Sequence, residues 1–356
     1  ERRCLGYTAA ALFAAALVDG QFGFNLRLPV SASIAYFTAG ALAARWPRND
    51  ATGHHAPWTG NAVRWAVGIA AVALPVFGAL DFAYQFSLQR GLAALHWNAP
   101  KAAYIALTRA TQLMPQYWAA WYHLGRVHML LDKPADALAC FERTLALDPT
   151  YIDAHIRIAQ VSVNQSAAAR GPETDRLENV ALDHARKAIA VAPAYPEAED
   201  VLGRVLMLRA TRLDKGATPD AAATAPLWRE AEQHLRKALI STPDRPGLLR
   251  LLAQARIGLK DLDGATDAFR RALDEAPDDE ATWRMFLQFA QQFGRTGDVR
   301  AALDTCVRRE LAAPKPDDAR AARLYARKAD LLLSMPDRKD EGLAASLRAV
   351  EIDPQC

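Results

Sequence analysis

Hydrophobic and charged positions are segregated along this chain. In its first third, three runs hold no charged residue: Cys4–Val18, Leu28–Ala44 and Trp65–Leu80. Each is slightly short of the ~20 residues that a bilayer-spanning helix needs. Flanking aromatic and neutral residues (Phe22, Phe24, Trp46, Phe82, Tyr84, Phe86) extend them to spanning length, and aromatics at run ends suit the headgroup belt. The pattern predicts three transmembrane helices, at about 4–20, 27–45 and 62–86, within a region covering residues 1–88. Three buried helices of a soluble domain are the alternative. The start "ERRCLGYTAAALFAAALVDG" also has the build of a signal peptide, but one cleaved signal does not account for two further runs. Between the first two runs, Asp19, Asn25 and Arg27 alternate with Gly20, Gly23 and Pro29. That mixture predicts an interfacial turn, and ionisable residues in a membrane segment are functional candidates by default.

From residue 89 onward the pattern changes to helical periodicity punctuated by prolines at 115, 149, 193, 243, 277, 314 and 354. The residues before them match: "TQLMP", "LALDP", "IAVAP", "LISTP", "LDEAP", "ELAAP", "VEIDP". The intervals, 34, 44, 50, 34, 37 and 40 residues, describe a 34-residue unit with insertions. The two largest insertions, "SAAARGPETDR" and "KGATPDAAATAP", have loop composition. In the clearest unit, Trp118 to Pro149, the residues Trp121, Leu124, Gly125 and His128 share one face of a first helix. Ala137, Phe141 and Leu145 share one face of a second. Lys133-Pro134 makes the turn and Pro149 blocks continuation. Gly125 and Ala137 are small where the helices cross, and Trp121 and Phe141 fill the space beside them. The fold class that follows is all-α: N-terminal transmembrane helices, then an α-solenoid over residues 89–356. The opening segment of the solenoid supplies a second helix (Ala103, Leu107, Ala110), for which Tyr84 to Leu95 is the expected first.

Composition narrows the function. A net charge of +3 is too small to argue for nucleic acid. Cys4, Cys140, Cys306 and Cys356 have neither zinc-site nor disulfide-framework spacing. The histidines show no ligand geometry, and no H-E-x-x-H, G-x-S-x-G or phosphate-cradling loop is present. No catalytic residue, metal or cofactor is expected. Arg2, Arg3, Arg45, Arg48 and Arg64 lie on one side of the expected spans, and Arg27, Arg90 and Lys101 on the other. By the positive-inside rule the Arg2 side is cytoplasmic. The solenoid is then expected in the periplasm of a bacterial cell.

The Trp118–Pro149 unit resembles a tetratricopeptide repeat (TPR), matching W-x-x-L-G…A-x-x-x-F…P. Later units keep the small positions: Ala181, Ala185 and Ala188; Ala231, Leu235 and Ala238; Ala265, Phe269 and Ala272; and Leu202-Gly203 in a first helix. The resemblance implies a right-handed superhelix whose first helices line a concave groove that binds partners. Carried onto this sequence, the groove positions are Tyr122 and Arg126, Ile156 and Gln160, Asp200 and Arg204, Arg250 and Gln254, Arg284 and Gln288, with Arg327 last. Arginines along one groove imply an acidic peptide or a glycan with charged sugars, because guanidinium presents a planar fork of donors. An ordinary solvated face is the alternative.

The stretch Leu17-Val18-Asp19, Phe22 or Phe24, Asn25, Arg27, Pro29 is similar to the penultimate hydrophobic region of bacterial O-antigen ligase and polymerase-like membrane proteins. The His usually found before that pattern is replaced by Ala14 or Ala15. The resemblance implies the C-terminal part of an inner-membrane glycan transferase working on a polyprenyl-diphosphate-linked glycan, with its catalytic Arg and His residues upstream of this chain. The missing Met at residue 1 agrees with a fragment, and the isolated segment is expected to be inactive. Membrane lipid and a polyprenyl-linked glycan are the implied partners beside the groove ligand. The rival expectation is a non-catalytic, membrane-anchored TPR adaptor.

Overall fold

The computed structural model describes residues 57–215, 221–312, 317–333 and 338–353, and the side chains of the first helix from Val76 onward. The spans expected at about 4–20 and 27–45, and the interface candidates Asp19, Asn25 and Arg27, lie outside these residues. All described elements are α-helices, arranged in two compact units. Unit 1 contains α1 (Pro57–His96), α2 (Pro100–Leu113), α3 (Trp118–Leu130) and α4 (Pro134–Leu147). Unit 2 contains α5 (Ile152–Ala168), α6 (Pro172–Val191), α7 (Pro196–Asp214), α8 (Ala221–Ser241) and α9 (Pro246–Gly258). It continues with α10 (Leu262–Glu275), α11 (Glu280–Phe293), α12 (Thr296–Leu311), α13 (Asp318–Leu333) and α14 (Lys339–Ile352). Residue 88, the expected boundary, falls inside α1, and the two compact units are divided at Pro149. The last part of α1 packs on α2 as the expected first helix of the opening unit, with Tyr84, Leu88, Ala103 and Leu107 in one core.

The prolines act through the residue before them. A following proline pushes its predecessor out of the α region. Met114, Asp148, Ala192, Ala276 and Asp353 all adopt φ between −138° and −136° and cap their helices in nearly the same conformation. Three residues after each of Pro115, Pro149, Pro193, Pro243 and Pro277 the next first helix begins, at Trp118, Ile152, Pro196, Pro246 and Glu280. Within units, the turns repeat as well. Asn98, Asp132, Lys260 and Gly294 have φ of 50°, 55°, 61° and 69°. The N–H one residue further on bonds back five residues: Ala99 to Ala94, Lys133 to His128, Asp261 to Arg256, Arg295 to Ala290. This left-handed helix ending suits Gly and Asn best and is strained for Lys.

Within each unit, helices pack on their sequence neighbours, and in unit 2 α5, α7, α9 and α11 also touch in series. Two layers result in unit 2: first helices side by side, second helices behind them. This is the stacking of a solenoid, in which each hairpin covers its neighbour's apolar face. The crossings are close. A Cβ added at Gly91 would lie 2.6 Å from Leu107, at Gly125 2.6 Å from Phe141, and at Gly203 2.9 Å from Leu235. Phe141, Phe269, Phe286 and Trp283 are almost fully buried.

Three expectations change. The two Ala-rich insertions are largely helical, because alanine favours helix wherever a neighbour covers it. Ser166–Ala168 extend α5, Pro172–Arg176 open α6, and 221–226 open α8. The lengthened helices carry a clamp in which Arg212 bonds Glu178 at 2.9 and 2.8 Å and Asp175 at 2.6 Å. Secondly, Trp121 is only half-buried; its indole N–H donates to the Pro115 carbonyl at 2.9 Å. Trp283 repeats that bond to Pro277 at 2.7 Å from within the core. Finally, among the described residues no helix is long and apolar enough to cross a membrane. The third expected span falls in α1, whose side chains before Val76 are not described.

Candidate functional site

Positions five and nine of each first helix are where the groove candidates fall, and the structure separates them into three groups. Tyr122 and Ile156 are core residues, 5% and 3% exposed. Tyr122 packs its ring 5.8 Å from that of Phe141, so it does not line a groove. The positions carried over by the resemblance do not fix exposure: Asp200, at the same position five, is also buried, at 5%. Arg126 is half-buried, with Nη1 3.3 Å from His123 Nδ1.

In unit 2 the arginines reach the surface but not as bare cations. Arg204 makes a two-pronged pair with Asp200 on its own helix, Nε to Oδ1 at 2.7 Å and Nη2 to Oδ2 at 3.0 Å. Arg250 donates from α9 to Asp279 at 2.6 Å and to the Thr282 hydroxyl at 3.4 Å. Arg284 pairs with Glu280 at 3.2 Å on an exposed turn. Gln254 is half-buried, Gln288 is exposed, and Gln160 accepts from Arg157 at 2.9 Å. Arg327 stacks 5.9 Å from the Trp283 ring centroid. Each of the three central arginines is therefore matched by a carboxylate. This face offers both signs of charge with amides between them, rather than the positive groove that counting arginines suggests. The carboxylates at Asp200, Asp279 and Glu280 lie one turn away from, or one helix beyond, the arginines they neutralise. Sequence spacing alone does not reveal the cross-helix pair.

Chemistry beyond binding is thin here. Cys140 and Cys306 are buried thiols whose pKa burial pushes up to about 11, which keeps them protonated and unreactive. Among the described residues no group of three His, Cys, Asp or Glu is placed to hold a metal ion. His155 and His184, from α5 and α6, bring their Nδ1 atoms within 3.0 Å. Burial, with the second imidazole adding to it, lowers His184 to about 4. That pairing spans 29 positions and left no signal in the sequence.

A family model described as tetratricopeptide repeat matches residues 118–151, and a second of the same description matches 228–288. The chain carries tetratricopeptide repeats. Solved TPR structures resemble it at low identity. A thermophilic TPR protein of Thermus thermophilus, TTC0263, is 23% identical, covering 58% of this chain and 97% of that one, with a TM-score of 0.44. A TPR protein of Parabacteroides merdae is 14% identical, covering 76% and 93%, with a TM-score of 0.48. YrrB, a TPR protein with an unusual peptide-binding site, is 16% identical, covering 56% and 89%, with a TM-score of 0.41. Nothing matches among curated proteins. The O-antigen ligase resemblance finds no counterpart in these comparisons.

Proposed function

We propose that this chain is an interaction module that binds an extended polypeptide segment along the first helices of unit 2. The observation that carries the reading is the row of matched charges and amides: Asp200 with Arg204, Arg250 with Asp279, Arg284 with Glu280, and Gln254 and Gln288 between them. A glutamine amide both donates and accepts, so it satisfies the N–H and C=O that an extended peptide leaves open. Matched pairs make a strongly acidic ligand a poor fit, since it must displace carboxylates already bound. A ligand with alternating charges fits better. The test is binding of fluorescent peptides of acidic, basic and mixed charge, measured by anisotropy, against the parent and a Gln254→Ala/Gln288→Ala variant. Mixed peptides should bind best and lose affinity in the variant. Preference for the acidic peptide, with no effect of the variant, refutes the reading.

A second reading concerns where the module works, and α1 favours it. The uncharged run Trp65–Leu80 lies on this helix and includes exposed Val76 and Phe77, with exposed Phe82 just beyond Asp81. In this reading the repeats are the periplasmic C-terminal part of a bacterial inner-membrane protein of the O-antigen ligase or polymerase-like kind. Its groove then meets a protein partner or the glycan carried on a polyprenyl lipid. The Leu17–Pro29 pattern and the arginine bias support it. A reporter fused after Pro354 tests the topology, and activity of a cytoplasm-only reporter reverses it. Deleting the repeats from the parent gene tests the glycan role, and unchanged glycan transfer argues for the non-catalytic anchored adaptor instead.

A further inference from the structure

One side of unit 1 combines exposed large apolar side chains with cations. Among the buried residues of α1, Tyr84, Leu88 and Gly91 pack towards α2, and Ser87 lines the hollow between the two helices. On its other face Phe82 and Phe86, one turn apart, stack at 6.5 Å and are 55% and 60% exposed. On α2 Ile105 is 71% exposed. A hollow of about 160 Å³ lies between the helices, lined by Phe86, Ala102, Ile105 and Ala106, with Arg90 and Arg109 in its wall. Exposed large apolar side chains placed singly need no explanation, but a contiguous patch marks a contact surface.

Charge says which contact. Between Val76 and Leu113 the sequence has three full cations, Arg90, Lys101 and Arg109, and one acid, Asp81. The three cations are exposed, and none has an ion-pair partner among the described residues. Arg204, Arg250 and Arg284 of the unit 2 groove, by contrast, are matched. Unpaired cations flanking exposed phenylalanines complement a surface that is apolar beneath and anionic on top. A bilayer containing acidic phospholipid has that profile; an acidic protein surface lacks the apolar layer.

We propose that the α1/α2 face of unit 1 docks on an anionic membrane surface. Phe82, Phe86 and Ile105 enter the boundary between headgroups and acyl chains, and Arg90, Lys101 and Arg109 hold lipid phosphates. The long stems of the cations let the charged ends reach the headgroup layer while their methylenes cover apolar surface. The proposal rests on the membrane reading above, because it needs α1 to be held at a bilayer. Phe82 and Phe86 already stand in the headgroup belt of the third expected span; what the proposal adds is lipid contact by α2, through Ile105, Lys101 and Arg109.

The test uses the full chain, purified in detergent and reconstituted into vesicles of phosphatidylcholine with or without phosphatidylglycerol. A benzophenone side chain is introduced at exposed Ile105, with exposed Glu142 on α4 as the control position, and lipid adducts are read by mass spectrometry after flotation. Adduct should form at position 105 and not at 142, and only with phosphatidylglycerol. Each cation near such a surface is worth about fivefold, so Arg90→Gln/Lys101→Gln/Arg109→Gln should cut the adduct by more than about tenfold. If the chain floats with the vesicles but position 105 gives no more adduct than 142, or the same yield in both lipids, the docking face is refuted and the tether stands. If the chain does not float, both fall.

Discussion

Gly125→Ala isolates the close helix crossing on which each repeat depends. In ordinary surface helices this change is favourable, by roughly 1 kcal/mol, because alanine restricts the unfolded chain and suits the helix. Here the added Cβ would meet Phe141 at 2.6, 2.9 and 3.0 Å, three ring atoms at once. Phe141 is fully buried, with Tyr122 beside it, so its ring has nowhere to retreat. Overpacking of this kind costs about 1–3 kcal/mol. The clash outweighs the propensity gain, and the net expectation is a loss of roughly 1–2 kcal/mol. Gly247 supplies the opposite case in the same molecule: it opens α9 with nothing within 4 Å of an added Cβ. Gly247→Ala should therefore gain about 0.5–1 kcal/mol.

Urea unfolding followed by far-UV circular dichroism reads both changes, with the midpoint moving in opposite directions at constant slope. A third variant separates clash from backbone effects. Phe141→Leu removes ring atoms, and in its presence Gly125→Ala should lose most of its penalty, a coupling of about 1 kcal/mol or more. If Gly125→Ala is as stable as the parent, the crossing is looser than this geometry requires. If the two glycines respond alike, packing is not what distinguishes them and the reasoning fails.

Other changes follow from the same structure. Lys260→Gly should raise stability by about 0.5–1 kcal/mol, since Lys260 holds φ at 61° and is exposed; a lower melting temperature would contradict the strain. Arg212→Met leaves Glu178, 1% exposed, without its two guanidinium bonds, and should cost about 3 kcal/mol in urea unfolding. Adding Glu178→Leu should restore most of it, and no restoration would show that the clamp works through packing alone. His184 has its folded pKa lowered to about 4. Between that value and its ordinary 6.5 the unfolded state binds the proton that the folded state refuses, so stability rises with pH across this window. Acidification through it should therefore lower stability, by less than the full shift implies because the pair is partly solvated, and His184→Gln should flatten the slope; an unchanged slope places the effect elsewhere.

The repeat architecture was legible because its signals are local. A proline fixes the conformation of the residue before it, and a small residue at a crossing is dictated by one facing ring. Both therefore recur at fixed places in the sequence, as Met114-Pro115, Asp148-Pro149 and the Gly125–Phe141 contact do. What was not legible depends on distance across the fold. The insertion after Ser166 has loop composition, yet it is helix because α6 and α7 extend beside it and Arg212 ties them together. The single-sequence pattern cannot show that partner. Trp121 and Trp283 carry the same bond to the proline six residues earlier, but one is half-buried and the other buried. Burial was set by neighbouring units, not by the motif.

The same distinction decides what the charges mean. Arginine count along the first helices pointed to an acidic ligand, and the pairing of Arg204, Arg250 and Arg284 with carboxylates removes the argument at those three. Asp279 answers Arg250 from the next first helix, so the opposite charges offset each other at short range and leave little outward field. Arg90 and Lys101 entered the sequence reading only as counts in the charge bias across the expected spans, and Arg109 not at all, because scattered cations in an otherwise apolar stretch look incidental. Among the described residues no carboxylate answers them, whereas Arg204, Arg250 and Arg284 are each answered. Binding follows the charge left over after folding. On that criterion the groove is suited to a ligand of mixed sign, and the α1/α2 face to an anionic one.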